Sequence, residues 1–148
     1  FRGIGLYPSP YRIWARLRRQ DARNWEKQHK RKYLLCTAGS SCVDAVWRQA
    51  LLHEESKLRG GFSATVLWDL KSFYEHIDRD MLINRGAMLG FPCAITRLCC
   101  RMYGCSRVMS WQQQVREAGW PQRGIGAGCA FATFLTQVFV ILAMDWFE

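Results

Sequence analysis

From Gly128 to Met144 the chain runs for 17 residues with only Thr133, Thr136 and Gln137 as clearly polar members. A segment that apolar has to be covered on every side, by lipid or by the rest of the chain. Its length lies at the short limit of a spanning helix, ~17–25 residues. Thr and Gln at its middle and Asp145 at its end favour a buried core helix, so no membrane partner is expected. The other elements must then present apolar faces to wrap it. At 49% apolar and 14% aromatic, 148 residues hold the material for one such core.

Residues 1–10, FRGIGLYPSP, carry two Pro and two Gly and read as an extended loop or edge strand. A helix is expected from Tyr11 to about His29, with Ile13, Trp14, Leu17 and Trp25 as its apolar stripe. Arg12, Arg16, Arg19 and Arg23 make a second stripe at spacings of four, three and four. Such a stripe can track a phosphate backbone or form a solvated face. After the basic turn HKRKY and the connection TAGSS, a second helix is expected from about Cys42 to Arg59. Its periodic residues are Val43, Val46, Trp47, Ala50 and Leu51, and Gly60-Gly61 ends it. Ala64 to Asp69 reads as a short buried strand. Asp78 reads as the N-cap of a helix over Arg79 to Leu89, closed by Gly90, and another helix covers Ala94 to Tyr103. The segments SRVMSWQQQ and GWPQRGI are expected to pair as a hairpin turning around Arg116 to Gly119, before the apolar helix from about Cys129. Several helices with few, non-alternating strands imply an α+β fold.

The charge is uneven. Residues 1–60 hold 13 Lys/Arg against 5 Asp/Glu, and residues 61–148 hold 8 against 7, so nearly all of the +9 excess lies in the first 60. A basic lobe beside a near-neutral apolar one suits a polyanion, nucleic acid first, or serves as a solubilising surface. The seven cysteines are Cys36, Cys42, Cys93, Cys99, Cys100, Cys105 and Cys129. They are odd in number and none falls in C-x-x-C, which points to reduced thiols in an intracellular protein rather than a disulfide framework or a zinc site. His29, His53 and His76 have no partner at metal-ligand spacing. A start at Phe1 and an end at Met144-Asp145-Trp146-Phe147-Glu148, without a helix stop, read as a piece of a longer chain.

The stretch VLWDLKSFYEHIDRD, residues 66–80, raises a chemical question. Asp69 directly follows Val66, Leu67 and Trp68, and a carboxylate ending a buried strand is destabilising unless its charge is compensated. One compensation is Mg²⁺, which takes carboxylate oxygens and completes its shell with waters and phosphates. Two such ions about 4 Å apart can clamp the attacking and leaving oxygens of a phosphoryl displacement. The Leu70 carbonyl would be a further ligand. Tyr74, five residues on and next to Phe73, could floor a bound sugar and exclude a 2′-hydroxyl. The alternative is a helix-capping acid followed by two core aromatics.

The segment DLKSFYEHI resembles the first catalytic motif of reverse transcriptases, especially those of group II introns and LINE-like elements: an Asp, an aromatic five residues later and an Ile shortly after. FRGIGLYPSPYRIWARLRR is similar to the early fingers motif of that family, an Arg followed by Ile and Leu and a basic, aromatic helix. AGSSCVDAVWRQA resembles its Gly-Ser-x-x-Asp-Ala segment. RGIGAGCAFATFLTQVFV resembles the later motif G-[IV]-x-Q-G-x-x-x-S-P-x-L. The four occur in family order and cover most of the chain.

The resemblance implies fingers and part of the palm of a right-hand polymerase, helix-rich with a small antiparallel sheet, with residues 1–62 as the basic fingers-like region and 63–148 as partial palm. It implies Asp69 as catalytic and Mg²⁺-binding residue, with Leu70 beside it. Tyr74, Phe73, Gly128 and Ala127 would lie at the deoxynucleotide, and Arg2, Arg12 and Arg16 at nucleic acid. The implied partners are an RNA template, a DNA primer and deoxynucleoside triphosphates, in the nucleus for a retroelement product. Two departures stand out. Ala127 occupies the position of the usual Gln, and Ala132-Thr133 that of Ser-Pro. Nothing in the chain resembles the later aromatic-x-Asp-Asp hairpin, so the 148 residues alone are expected to be inactive. A decayed domain that only binds RNA or DNA and a small basic membrane-associated protein are the rival readings.

Overall fold

The computed structural model describes residues 5–35, 37, 39, 41–65 and 70–147, with the backbone alone at Trp111. The fold is α+β and helix-rich. Its elements are α1 (Ser9–Gln28), α2 (Cys42–Leu58), α3 (Phe73–His76), α4 (Arg79–Met88), α5 (Cys93–Tyr103), β1 (Arg107–Trp111), β2 (Gln114–Gly119) and α6 (Ala132–Met144). They fall into two compact units. One joins Phe1–Gln28 to Ser72–Glu148, and the other is His29–Lys71. The expected fingers–palm boundary at 62/63 lies inside the second unit.

The apolar run that opened the sequence reading is the centre of the first unit. Phe134, Leu135, Val138 and Ile141 of α6 are buried, and α4 packs against both α6 and α5. The polar exception, Gln137, is also buried and donates from Nε2 to Glu26 Oε1 of α1 at 2.7 Å. That bond answers the desolvation of an amide inside an apolar layer. The end of α4 is a Schellman motif. Gly90 has φ 64°, its N–H reaches the Ala87 carbonyl, and the Phe91 N–H reaches that of Gly86 at 2.8 Å. At the other end Asp78 caps the helix, accepting from the Met81 N–H at 2.8 Å, as the sequence predicts. Among the described residues no helix is long and apolar enough to cross a membrane.

Two expectations are corrected. The buried face of α1 is Tyr11, Ala15, Ala22 and Trp25, whereas Ile13 is 63% and Leu17 75% exposed. Aromatic size explains the choice. Tyr11 stacks on Tyr7 and Trp14, Trp14 meets Phe131 edge-on, and Trp25 meets Phe91 edge-on while donating to the Leu89 carbonyl at 2.7 Å. The small Ala15 and Ala22 let the helix approach closely. The hairpin also turns earlier than expected, at Gln112-Gln113, and Arg116 to Gly119 lie within β2. Both glutamines have positive φ, 45° and 64°, as a type I′ two-residue turn requires. The usual Asn-Gly signature of that turn is missing, so the sequence hides it. Of the expected strand at 64–69, residues 64 and 65 lie outside regular structure and 66–69 lie outside the described residues.

In the second unit α2 begins with a capping box. Asp44 Oδ2 accepts from the Ser41 N–H at 2.6 Å, and Ser41 Oγ accepts from the Asp44 N–H at 3.2 Å. Its periodic apolar residues Val43, Val46, Trp47 and Leu51 are all exposed.

The burial pattern yields a paired stability test. Leu135→Ala is expected to destabilise by ~2–5 kcal/mol through cavity formation, and Leu17→Ala by no more than ~0.5 kcal/mol. Urea unfolding followed by circular dichroism measures both, and equal losses would contradict the face assigned to α1.

Candidate nucleic-acid interface

The arginine stripe of α1 follows from helical geometry: positions 12, 16 and 19 recur at i, i+4 and i+7 and share a face. In the structure these three side chains line a groove of about 390 Å³ whose other walls include Tyr7, Tyr11, Gly128 and Ala130. All three are exposed. Among the described residues none of them has an ion pair or a side-chain hydrogen bond, while Arg18, on a different face, pairs with Asp21 at 3.3 Å. Three neighbouring guanidiniums without carboxylates repel one another and offer donors to an anion. Burial pushes the Tyr7 phenol up to about 12, so at neutral pH it is an uncharged hydroxyl at the groove.

Gly128 and Ala130, which also line the groove, belong to a turn that depends on glycine. A Cβ on Gly126 would overlap the Tyr7 hydroxyl, and one on Gly124 would come within 2.8 Å of the Tyr74 carbonyl oxygen. Gly128 has φ 91°, in the left-handed region. The turn is fastened to the N-terminal segment by the Gly5 N–H, which donates to the Ala127 carbonyl at 3.0 Å. It is fastened to α3 by the Ile125 N–H to the Tyr74 carbonyl and the Gly124 N–H to the Ile77 carbonyl, both 2.8 Å. Behind it, Arg79 Nε donates to the Gly124 carbonyl at 2.9 Å, and its Nη2 reaches the carbonyls of Pro121 at 2.9 Å, Arg123 at 2.7 Å and Tyr103 at 3.2 Å.

The predicted site residues divide accordingly. Arg12, Arg16 and Gly128 converge on the groove, and Ala127 sits beside it with its carbonyl engaged. Phe73 and Tyr74 open α3. Their rings lie 6.2 Å apart, both half-buried, and Phe73 meets Phe139 edge-on. They join the site through the Tyr74 main chain. Leu70 is exposed and belongs to the second unit. Asp69 and Arg2 lie outside the described residues. Among the described residues no three His, Cys, Asp or Glu gather as metal ligands, and the expected Mg²⁺ ligand Asp69 lies outside those residues. Sequence reasoning passed over Tyr7, Tyr11 and the placement of Arg19. The Tyr7-x-x-x-Tyr11 spacing, continued by Ala15 and Ala22, was the available signal for which face turned inward.

A second concavity of about 660 Å³ lies by α4 and α5 and includes Arg79, Asp80, Arg97 and Arg101. Its Arg79 is committed to carbonyls and Asp80 places a negative charge on the wall, so it is the weaker anion site. No protein-family model, curated protein or solved structure matches the chain.

The close approach of Tyr7 to Gly126 is testable. Gly126→Ala is expected to destabilise by ~1–3 kcal/mol, as overpacking does. Combining it with Tyr7→Phe, which removes the overlapping oxygen, should recover part of the loss in a double-mutant cycle by chemical denaturation. Full additivity of the two changes would contradict the contact.

Proposed function

We propose that the chain is a reverse-transcriptase-like piece whose described groove holds the sugar–phosphate backbone of an RNA template or RNA–DNA hybrid. The observation that carries this reading is the convergence of Arg12, Arg16 and Arg19 on Gly128. The arginines come from the segment resembling the early fingers motif, and Gly128 comes from the segment resembling the later glycine motif. More than a hundred residues separate them in the sequence. A mobile pair of surface arginines would need no such partner, whereas a phosphate backbone is met both by guanidiniums and by backbone that can approach it closely.

The parent reaction under this reading is template-directed addition of deoxynucleotides to a primer 3′-hydroxyl, with Asp69 holding Mg²⁺ and Tyr74 discriminating the sugar. The right-hand polymerase fold belongs to the same proposal. A second reading, a domain that binds RNA or DNA without catalysis, is favoured by Ala127. This residue offers only a methyl group where the family has an amide, and its carbonyl is already bonded to Gly5.

Binding of the chain to labelled RNA and RNA–DNA hybrid should weaken steeply between roughly 50 and 200 mM salt. Each of Arg12→Ala, Arg16→Ala and Arg19→Ala should lower the slope of log K against log salt by ~0.7–0.9, while Arg18→Ala, whose partner is Asp21, should leave it nearly unchanged. A triple arginine variant that keeps its helix content and the full salt slope would remove the groove from the interface. Primer extension separates the two readings. The 148 residues alone should give no incorporation under either reading; in a longer parent chain, Mg²⁺-dependent incorporation abolished by Asp69→Asn identifies an enzyme, and binding without incorporation identifies the binding domain.

A further inference from the structure

Beneath the arginine groove Tyr11 places its hydroxyl between two sulfurs, 3.1 Å from Cys99 Sγ and 3.0 Å from Cys129 Sγ. Cys99 is on α5 and Cys129 is in the turn before α6. Their side chains meet where α5, the turn before α6 and the start of α1 come together at Tyr11. Two thiols held against one oxygen are poised for a chemistry that neither polymerisation nor backbone binding uses.

The two sulfurs are unequal. Cys99 is fully buried, whereas Cys129 keeps 8% of its surface and is flanked by Gly128 and Ala130, both on the groove wall. Small oxidants therefore reach Cys129 first. Negative charge also belongs on Cys129, because its sulfur accepts the Phe131 N–H at 3.4 Å as well as facing the Tyr11 hydroxyl. Interaction with Cys99 draws the Cys129 thiol below the usual cysteine range, against the opposing effect of burial. The same interaction, reinforced by burial, holds Cys99 as a neutral thiol. A more accessible thiolate beside a buried thiol is the arrangement of an attacking and a resolving cysteine.

We propose that Cys99 and Cys129 are a redox-active pair that closes to an intramolecular disulfide on exposure to hydrogen peroxide, Cys129 reacting first and Cys99 resolving. The Cys129 thiolate attacks one peroxide oxygen, the O–O bond breaks, hydroxide leaves, and Cys129 becomes a sulfenic acid. Cys99 then attacks the Cys129 sulfur as its own proton is lost. The S–S bond forms, the S–O bond breaks, and the hydroxyl departs with a proton as water. Overall two thiols are oxidised by two electrons, and one peroxide is reduced to two waters. A dithiol reverses the step by thiol–disulfide exchange. The cross-link ties α5 to the turn that carries Gly128, so the oxidised state fixes one wall of the groove. Cys42, Cys93 and Cys105 are exposed and meet peroxide by exposure alone, without a built resolving partner among the described residues.

The test uses the 148-residue chain, reduced and then freed of reductant. It is treated with hydrogen peroxide, blocked with N-ethylmaleimide, digested without reduction and mapped by mass. The expected result is a peptide pair joined through Cys99 and Cys129 that forms ahead of any pairing of Cys42, Cys93 or Cys105 and disappears with dithiothreitol. In Cys99→Ala, dimedone should label Cys129 as a trapped sulfenic acid, because the resolving thiol is gone. The proposal is overturned if both cysteines survive as free thiols while the exposed ones oxidise, if other pairs form in preference, or if Cys129 of the Cys99→Ala chain takes no dimedone. Should Cys99→Ala fail to fold, the unsubstituted chain's map decides alone.

Discussion

One guanidinium, that of Arg79, holds together segments that the chain brings in from three directions. It stands at the first residue of α4 and donates to carbonyls at the end of α5 and along residues 121–124. A cation at a helix N-terminus opposes the helix dipole, and Asp78 and Asp80 beside it offset that charge. Burial pulls its pKa down, yet an arginine stays charged under any ordinary condition. A charged donor surrounded by carbonyl dipoles makes stronger hydrogen bonds than a neutral one. The segment so held continues directly into Gly124, Ile125 and the glycine turn. The groove wall is therefore positioned by a residue that never touches the groove.

Helices were the legible part of this sequence. Asp78 and Gly90 bracket α4, Gly60-Gly61 closes α2, and the apolar run gives α6, because caps and stops act within a few residues. Which face of α1 turns inward was legible only in the spacing of Tyr7, Tyr11, Ala15 and Ala22. Ile13 and Leu17 are more hydrophobic than Ala15 and Ala22, but the inward face is set by partners over a hundred residues away, such as Cys129 against Tyr11 and Gln137 against Glu26. The hairpin turn escaped for a different reason. A Gln-Gln pair at positive φ is imposed by the pairing of β1 and β2 and leaves no compositional trace.

For the site, the stripe of arginines was visible as a helical period, and the glycines were visible as a motif, but their meeting was not. It depends on Trp14 of α1 meeting Phe131, just before α6, and on the Gly5 N–H reaching Ala127. What the groove offers an anion is unusual in its division of labour. Three exposed arginines contribute positive charge, and Gly128 contributes backbone that carries no side chain. The Tyr7 phenol, neutral at ordinary pH, also lines the groove, and the Tyr11 hydroxyl lies beneath it against Cys99 and Cys129.

The second unit, His29–Lys71, is an excursion from the first: the chain leaves after α1 and returns just before α3. For the first unit those residues act as a tether between Gln28 and Ser72. Closing such a tether depends only logarithmically on its length, about 0.6 kcal/mol for each doubling. Closure entropy alone therefore sets little limit on how far the excursion can lengthen.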